Sequence, residues 1–108
     1  MKLLTAAIIK QLEKTPLDST EKQNVVPVLV KFFNPCGSGT WYAIEGEKQE
    51  DGDWLFFGLC DIHEKELGNF LLSELQSVKL PFGLRIERDM HFDGYVLDKA
   101  SNEVRRAS

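Results

Sequence analysis

With 108 residues, 43% of them hydrophobic and 10% aromatic, the chain has enough apolar material for one core and too little for two domains. Its charged residues make up 28% and mix both signs to a net charge of -4, which argues against the massed lysines and arginines that broad capture of nucleic acid needs. No apolar run approaches the roughly 20 residues of a membrane span, and Cys36 and Cys60 are too few to staple a fold, so free thiols in a reducing cytoplasm are expected.

The opening "MKLLTAAIIKQLEK" has the basic start of a signal peptide, but Lys10 interrupts the apolar run and no small-residue cleavage site follows. Leu4, Ile8, Ile9 and Leu12 recur at helical spacing instead, predicting a short amphipathic helix ended by Pro16. "PLDSTEKQN" reads as a polar loop. "VVPVLVKFF" reads as a strand, with Pro27 at its beginning or on a sheet edge. In "TWYAIEGEK" strict alternation places Thr40, Tyr42 and Ile44 on one face and Trp41, Ala43 and Glu45 on the other. An Asp51-Gly52 turn leads into "WLFFGLC", apolar throughout as a strand covered on both faces would be. "NFLL" adds a fourth strand, and Ser73 and Gln76 in "SELQSV" predict a capped short helix. After the break at "LPFG", "LRIERD" turns Leu84, Ile86 and Arg88 one way and Arg85, Glu87 and Asp89 the other. The expectation is α+β: residues 1–97 form one domain, an antiparallel sheet of four or five strands with both helices on one face, and residues 98–108 form a loose tail.

In this order, "KFFNPCGSGTWYAIEG", "WLFFGLCDIHEKELGNFLLSELQSV" and "LPFGLRIERDMHF" resemble the bacterial domain of unknown function 2958, and the likeness runs from the first helix to about Phe92. The resemblance implies a small stand-alone cytoplasmic domain, frequently carried by plasmids, phages or other mobile DNA, with no assigned activity or cofactor. The family's aromatic and acidic positions match Phe33, Trp41, Glu45, Phe57, Glu66, Glu74, Glu87, Asp89 and Phe92, and its pattern also covers Gly58, Leu67, Gly68, Leu75, Ile86 and Arg88. Cys36, Cys60 and His63 are less tied to it.

Several chemistries compete for the polar residues. Gly37 and Gly39 would let the Asn34 to Thr40 loop gather amides around an anion, but no lysine or helix follows, so a hairpin turn is the plainer reading. Cys36, Cys60, His63 and His91 have zinc-ligand chemistry with only one close pair, Cys60-x-x-His63, where a structural zinc normally has two. Asp61, Glu87 and Asp89, with His63 or His91 as base, would suit metal-dependent hydrolysis if they converged; cross-strand pairing of such acids with Arg85 and Arg88 is the commoner use. Neither cysteine has a local nucleophile signature. Without a persuasive catalytic set, the reading is a non-enzymatic interaction module with no cofactor and a protein partner, not a membrane, the metal-dependent hydrolase or nuclease being the alternative. Its expected surface is Asn34, Thr40, Trp41, Glu45, Asp61, Glu87, Arg88 and Asp89, on the sheet face that the helices leave open.

Overall fold

A computed structural model describes residues 1–107. Helix α1 (Ala6–Glu13) starts at Thr5, whose hydroxyl accepts the Ile8 amide at 3.2 Å, and it buries Leu12 completely. The run after the polar loop does not stay in one sheet. It divides into β1 (Val25–Pro27) and β2 (Val30–Phe33), with the handover at the two residues between them. The Val28 amide donates to the Tyr95 carbonyl at 3.0 Å in one sheet, and the Leu29 amide donates to the Ala43 carbonyl at 2.8 Å in the other.

The larger sheet is antiparallel with the order β5-β4-β3-β2-β6. It contains β3 (Thr40–Lys48), β4 (Trp54–Asp61), β5 (Lys65–Leu71) and β6 (Glu87–Arg88), so the middle of the chain forms the expected meander. The smaller sheet has the order β1-β7-β8, with β7 (Tyr95–Asp98) and β8 (Glu103–Arg106). Pro27 sits on its edge strand, where a missing N–H costs no ladder bond. The segment read as a loose tail, 98–108, takes in the end of β7 and all of β8, paired from Tyr95↔Arg106 to Asp98↔Glu103, with Ser108 outside the described residues. The single apolar residue of β8, Val104, packs against the core between the sheets and gave no periodicity to read.

Each face of the larger sheet is covered differently. On one, Phe32, Ala43, Phe56, Phe70 and Ile86 pack against Leu12 of α1 and Leu75 of α2 (Leu72–Ser77). Phe32 and Phe56 are fully buried with centroids 5.7 Å apart, and each such side chain contributes roughly 1.5–3 kcal/mol by burial. On the other face, Ile44 and Leu59 meet Val26 and Leu97 of the smaller sheet. The open face expected behind the helices is therefore partly roofed by a second sheet. Helix α2 begins two residues earlier than the Ser73 cap implied, with Leu71 as its N-cap: Glu74 accepts the Leu71 amide at 2.8 Å, while Ser73 donates its amide and hydroxyl to Asp53. Among the described residues no helix is long and apolar enough to cross a membrane.

Alternation along β3 breaks at a bulge. Ala43 pairs with Gly58 and Glu45 with Phe57, leaving Ile44 as the extra residue. Ile44 and Glu45 consequently both turn toward the smaller sheet, and Gly46 returns to the helix side. There a Cβ on Gly46 would come within 2.9 Å of Leu12, and a Cβ on Gly58 would stand 1.8 Å from the Tyr42 carbonyl oxygen. Glycine at these two positions is what lets α1 and the bulged backbone approach so closely.

Candidate functional site

The Asn34–Gly39 loop joins β2 to β3 and uses its own polar groups. Asn34 Oδ1 accepts the Cys36 amide at 2.8 Å, Asn34 Nδ2 donates to the Ser38 carbonyl at 3.3 Å, and the Asn34 amide donates to the Gly39 carbonyl at 2.9 Å. The Gly37 amide is directed at the Asn34 carbonyl, 3.5 Å away. These amides close a turn and do not converge on an anion.

Strand register then sorts the predicted surface into two rows. Glu87 pairs with Phe33, Phe33 with Thr40, Thr40 with Asp61 and Asp61 with Lys65, so these five share one face at the hairpin end of the sheet. The next row, Arg88, Phe32, Trp41, Cys60 and Glu66, points to the opposite face. Thr40, Asp61, Glu87 and Asp89 are thus brought together, while Trp41 and Arg88 belong with the helices. Trp41 is half-buried beside Leu75 and Val78, and the Arg88 guanidinium donates to the Lys2 carbonyl. The expected single patch is split because adjacent residues of a strand face opposite ways.

The Thr40 face continues into an aromatic cluster. Tyr42 lies 5.8 Å from Phe92, and Phe92 stacks on Tyr95 at 4.2 Å with 8° between the planes. Lys31 pairs with Asp89 at 3.5 Å while its ammonium sits over Phe92 at 5.4 Å. Burial, and then the Asp61 and Asp89 carboxylates, push the Tyr42 hydroxyl above its ordinary pKa of 10.0. Among the described residues the side chains of Asp61 and Glu87 have no ion pair. The result is a half-exposed strip of Phe33, Thr40 and Tyr42 with an unpaired carboxylate on either side.

Residues 3–103 match the model of a family described as "Protein of unknown function (DUF2958)". The chain belongs to that family. No curated protein and no solved structure matches it.

Glu45 has a different place in this DUF2958 chain from the one alternation gave it. The bulge carries it to the smaller-sheet side, where it is only 2% exposed. Its carboxylate accepts the Asp18 amide at 2.8 Å, the Thr20 amide at 2.9 Å and the Thr20 hydroxyl. Glu45 is therefore a clasp for the loop after α1, not part of the exposed surface. Beside it opens a cleft of ≈ 480 Å³ between Leu17, Glu21, Leu55, Phe57, Asn69 and Lys99, and the Lys99 ammonium donates to the Thr20 hydroxyl at 3.2 Å. Sequence reading missed Lys99 and Thr20 because their partners lie far along the chain.

The zinc and hydrolase sets are not assembled in this family member: among the described residues no three His, Cys, Asp or Glu side chains are grouped to hold an ion. Cys36, His63 and His91 are exposed on separate loops, and Cys60 is half-buried on the helix face. Burial raises the Cys60 thiol pKa, with Glu66 and Glu74 adding to the effect, which suits an inert packing thiol and not a nucleophile.

Proposed function

We propose that this DUF2958 chain is a non-enzymatic interaction module whose hairpin-end face takes a basic segment of a protein partner. The observation that carries the reading is the Phe33–Thr40–Tyr42 strip flanked by the unpaired carboxylates of Asp61 and Glu87. Rings offer apolar area and a negative π-face, while the carboxylates supply complementary charge and direct hydrogen bonds to a lysine or arginine. Lys31 illustrates the chemistry within the chain, holding one cation between Asp89 and Phe92. A cytoplasmic setting accords with two unpaired cysteines, one of them exposed. The proposed context of mobile-DNA maintenance or defence evasion rests on the family resemblance alone.

Selection from a random peptide display library tests the face. Enriched peptides are expected to carry Lys or Arg beside an apolar residue. They should lose affinity at least ~10-fold for Asp61→Lys/Glu87→Lys, since like charges facing across an interface are strongly unfavourable. Acidic consensus peptides, or binding indifferent to the double variant while it unfolds cooperatively, would reject the assignment.

A further inference from the structure

The loop between α2 and β6 holds the most exposed large hydrophobic side chain described. Phe82 is 98% exposed, and its backbone is left-handed at φ 62°, ψ 24°. Both features run against folding. A phenylalanine in water forgoes the burial it ordinarily gains, and a side chain with a Cβ is strained in this region. Gly83, with φ 72°, already supplies a glycine one residue later. Positions 82 and 83 are thus both left-handed, and only the second carries the glycine that suits this region.

The loop is also closed on itself. The Leu80 amide donates to the Leu84 carbonyl at 3.1 Å, and the Leu84 amide to the Pro81 carbonyl at 3.2 Å. Arg85 reaches back to the Gln76 carbonyl at 3.3 Å, tying the loop to the end of α2. Pro81 fixes one further dihedral. The Cα–Cβ bond of Phe82 is therefore aimed outward by a backbone-bonded turn, and the 98% exposed ring is held out in solvent. Charge adds a second, separate indication: Lys79 and Arg85, both exposed, bracket Phe82 and Leu84, and no acid occurs from Lys79 to Ile86 in a chain of net charge -4.

We infer that the Leu80–Arg85 loop is a preformed docking anchor that inserts Phe82 into an apolar pocket with an acidic rim on a partner protein. An aromatic anchor in a pocket ringed by polar contacts is the usual form of a binding hot spot, and a rigid loop avoids ordering costs on association. A lipid surface gains little from a backbone closed into one conformation around a single ring, whereas a shaped pocket gains from receiving a preformed turn. The two cations steer and register the contact. This surface is distinct from the Thr40 face, which carries unpaired acids and would attract the opposite charge.

Three measurements on the full chain test it. Phe82→Gly relieves the backbone strain and removes no packing, so the thermal midpoint is expected to rise by a few degrees; a fall would show that Phe82 serves the fold and overturn the anchor. A photoactivatable benzoylphenylalanine in place of Phe82, irradiated in extract of the source cells, is expected to join a different protein. Sequencing of the joined peptides should place the contact at an apolar pocket carrying Asp or Glu. The yield should drop at least ~10-fold with Lys79→Glu/Arg85→Glu and persist with Asp61→Lys/Glu87→Lys. Adducts only to a second copy of the chain, no adduct, or adducts indifferent to charge reversal at Lys79 and Arg85 would each overturn the inference. So would Phe82-dependent sedimentation with vesicles of phosphatidylcholine and phosphatidylserine, which would reassign the loop to membranes.

Discussion

Glu45→Gln separates a structural clasp from a binding residue, because it keeps shape and removes one acceptor. The carboxylate meets the Asp18 amide at 2.8 Å with one oxygen, and the Thr20 amide at 2.9 Å plus the Thr20 hydroxyl with the other. In glutamine one of those oxygens becomes an NH2 donor, and the least costly orientation keeps Thr20 and faces the amide nitrogen toward Asp18. Losing a hydrogen bond to a charged group costs about 1.5–3 kcal/mol, lessened here because the Asp18 amide is only partly buried and water can reach it. We expect about 1–2 kcal/mol for Gln and about 3–5 kcal/mol for Ala, which strands all three donors. Urea unfolding should show a lower midpoint with an unchanged slope, and the Asp18 amide, which loses its acceptor, should exchange hydrogen faster than in the wild type. A double-mutant cycle of Glu45→Ala with Thr20→Val should return a coupling of at least ~0.5 kcal/mol, because alanine removes the acceptor of the Thr20 hydroxyl. A loss under ~0.5 kcal/mol for Glu45→Gln, or additivity of Glu45→Ala with Thr20→Val, would refute the clasp and return Glu45 to the surface candidates.

Gly58→Ala should be among the most damaging single changes in the chain, at or beyond ~3 kcal/mol, since its Cβ would stand 1.8 Å from a backbone oxygen that no rotamer can move; a soluble variant with a wild-type melting temperature would contradict the bulge geometry. Under native conditions a thiol reagent should label exposed Cys36 first, with Cys60 reacting at a comparable rate only after denaturant is added. Asp61→Asn should lower the Tyr42 pKa toward 10.0, followed by its ring resonances through an alkaline titration, because one of the charges opposing tyrosinate is gone; no movement would place Asp61 away from the ring. The Ser73 hydroxyl, with the Trp54 and Ser73 amides, holds Asp53 below its ordinary pKa of 3.8, so the contact stabilises above that value and is lost as pH falls through the lower folded-state value. The stability gap between wild type and Asp53→Asn should therefore close in acid, and a gap independent of pH would exclude this source.

The strands that alternate cleanly or run apolar were legible, because their pattern is the burial itself. Trp54, Phe56 and Leu59 line β4 on both of its covered faces, as "WLFFGLC" implied, and Gly52 takes the positive φ of 90° that an Asp-Gly turn requires. The bulge was not legible. It depends on a glycine in the neighbouring strand, Gly58, and one extra residue reverses the side on which Glu45 falls. The smaller sheet escaped notice for a related reason. Val26, Leu97 and Val104 come from three short strands, of which β1 and β7 bury one residue each and β8 only half-buries Val104, and the hairpin joining two of them turns at Asn102, with φ 55°, where no glycine signals it. The candidate site was half legible: alternation placed Glu87 and Asp89 together and Arg88 apart, but it could not show which row the helices would cover.

That last choice is set by the core, and it makes the orientation of the site as strongly specified as the fold. Phe32 pairs with Trp41 and Arg88, while Phe33 pairs with Thr40 and Glu87, so the two rows differ by one residue along each strand. A slip of β2 by one residue would bring the Phe32 ring out from beneath α1 and drive Lys31 and Phe33 inward, burying a charge that now meets Asp89 in partly exposed surroundings. The fully buried Phe32 and Phe56 forbid it. Asp61 and Glu87 therefore stay on the Thr40 side because the aromatic core fixes every neighbouring strand in place, and the surface needs no contact of its own to hold them there. It follows that substitutions of these acids can change what the face attracts without unsettling the register that presents it.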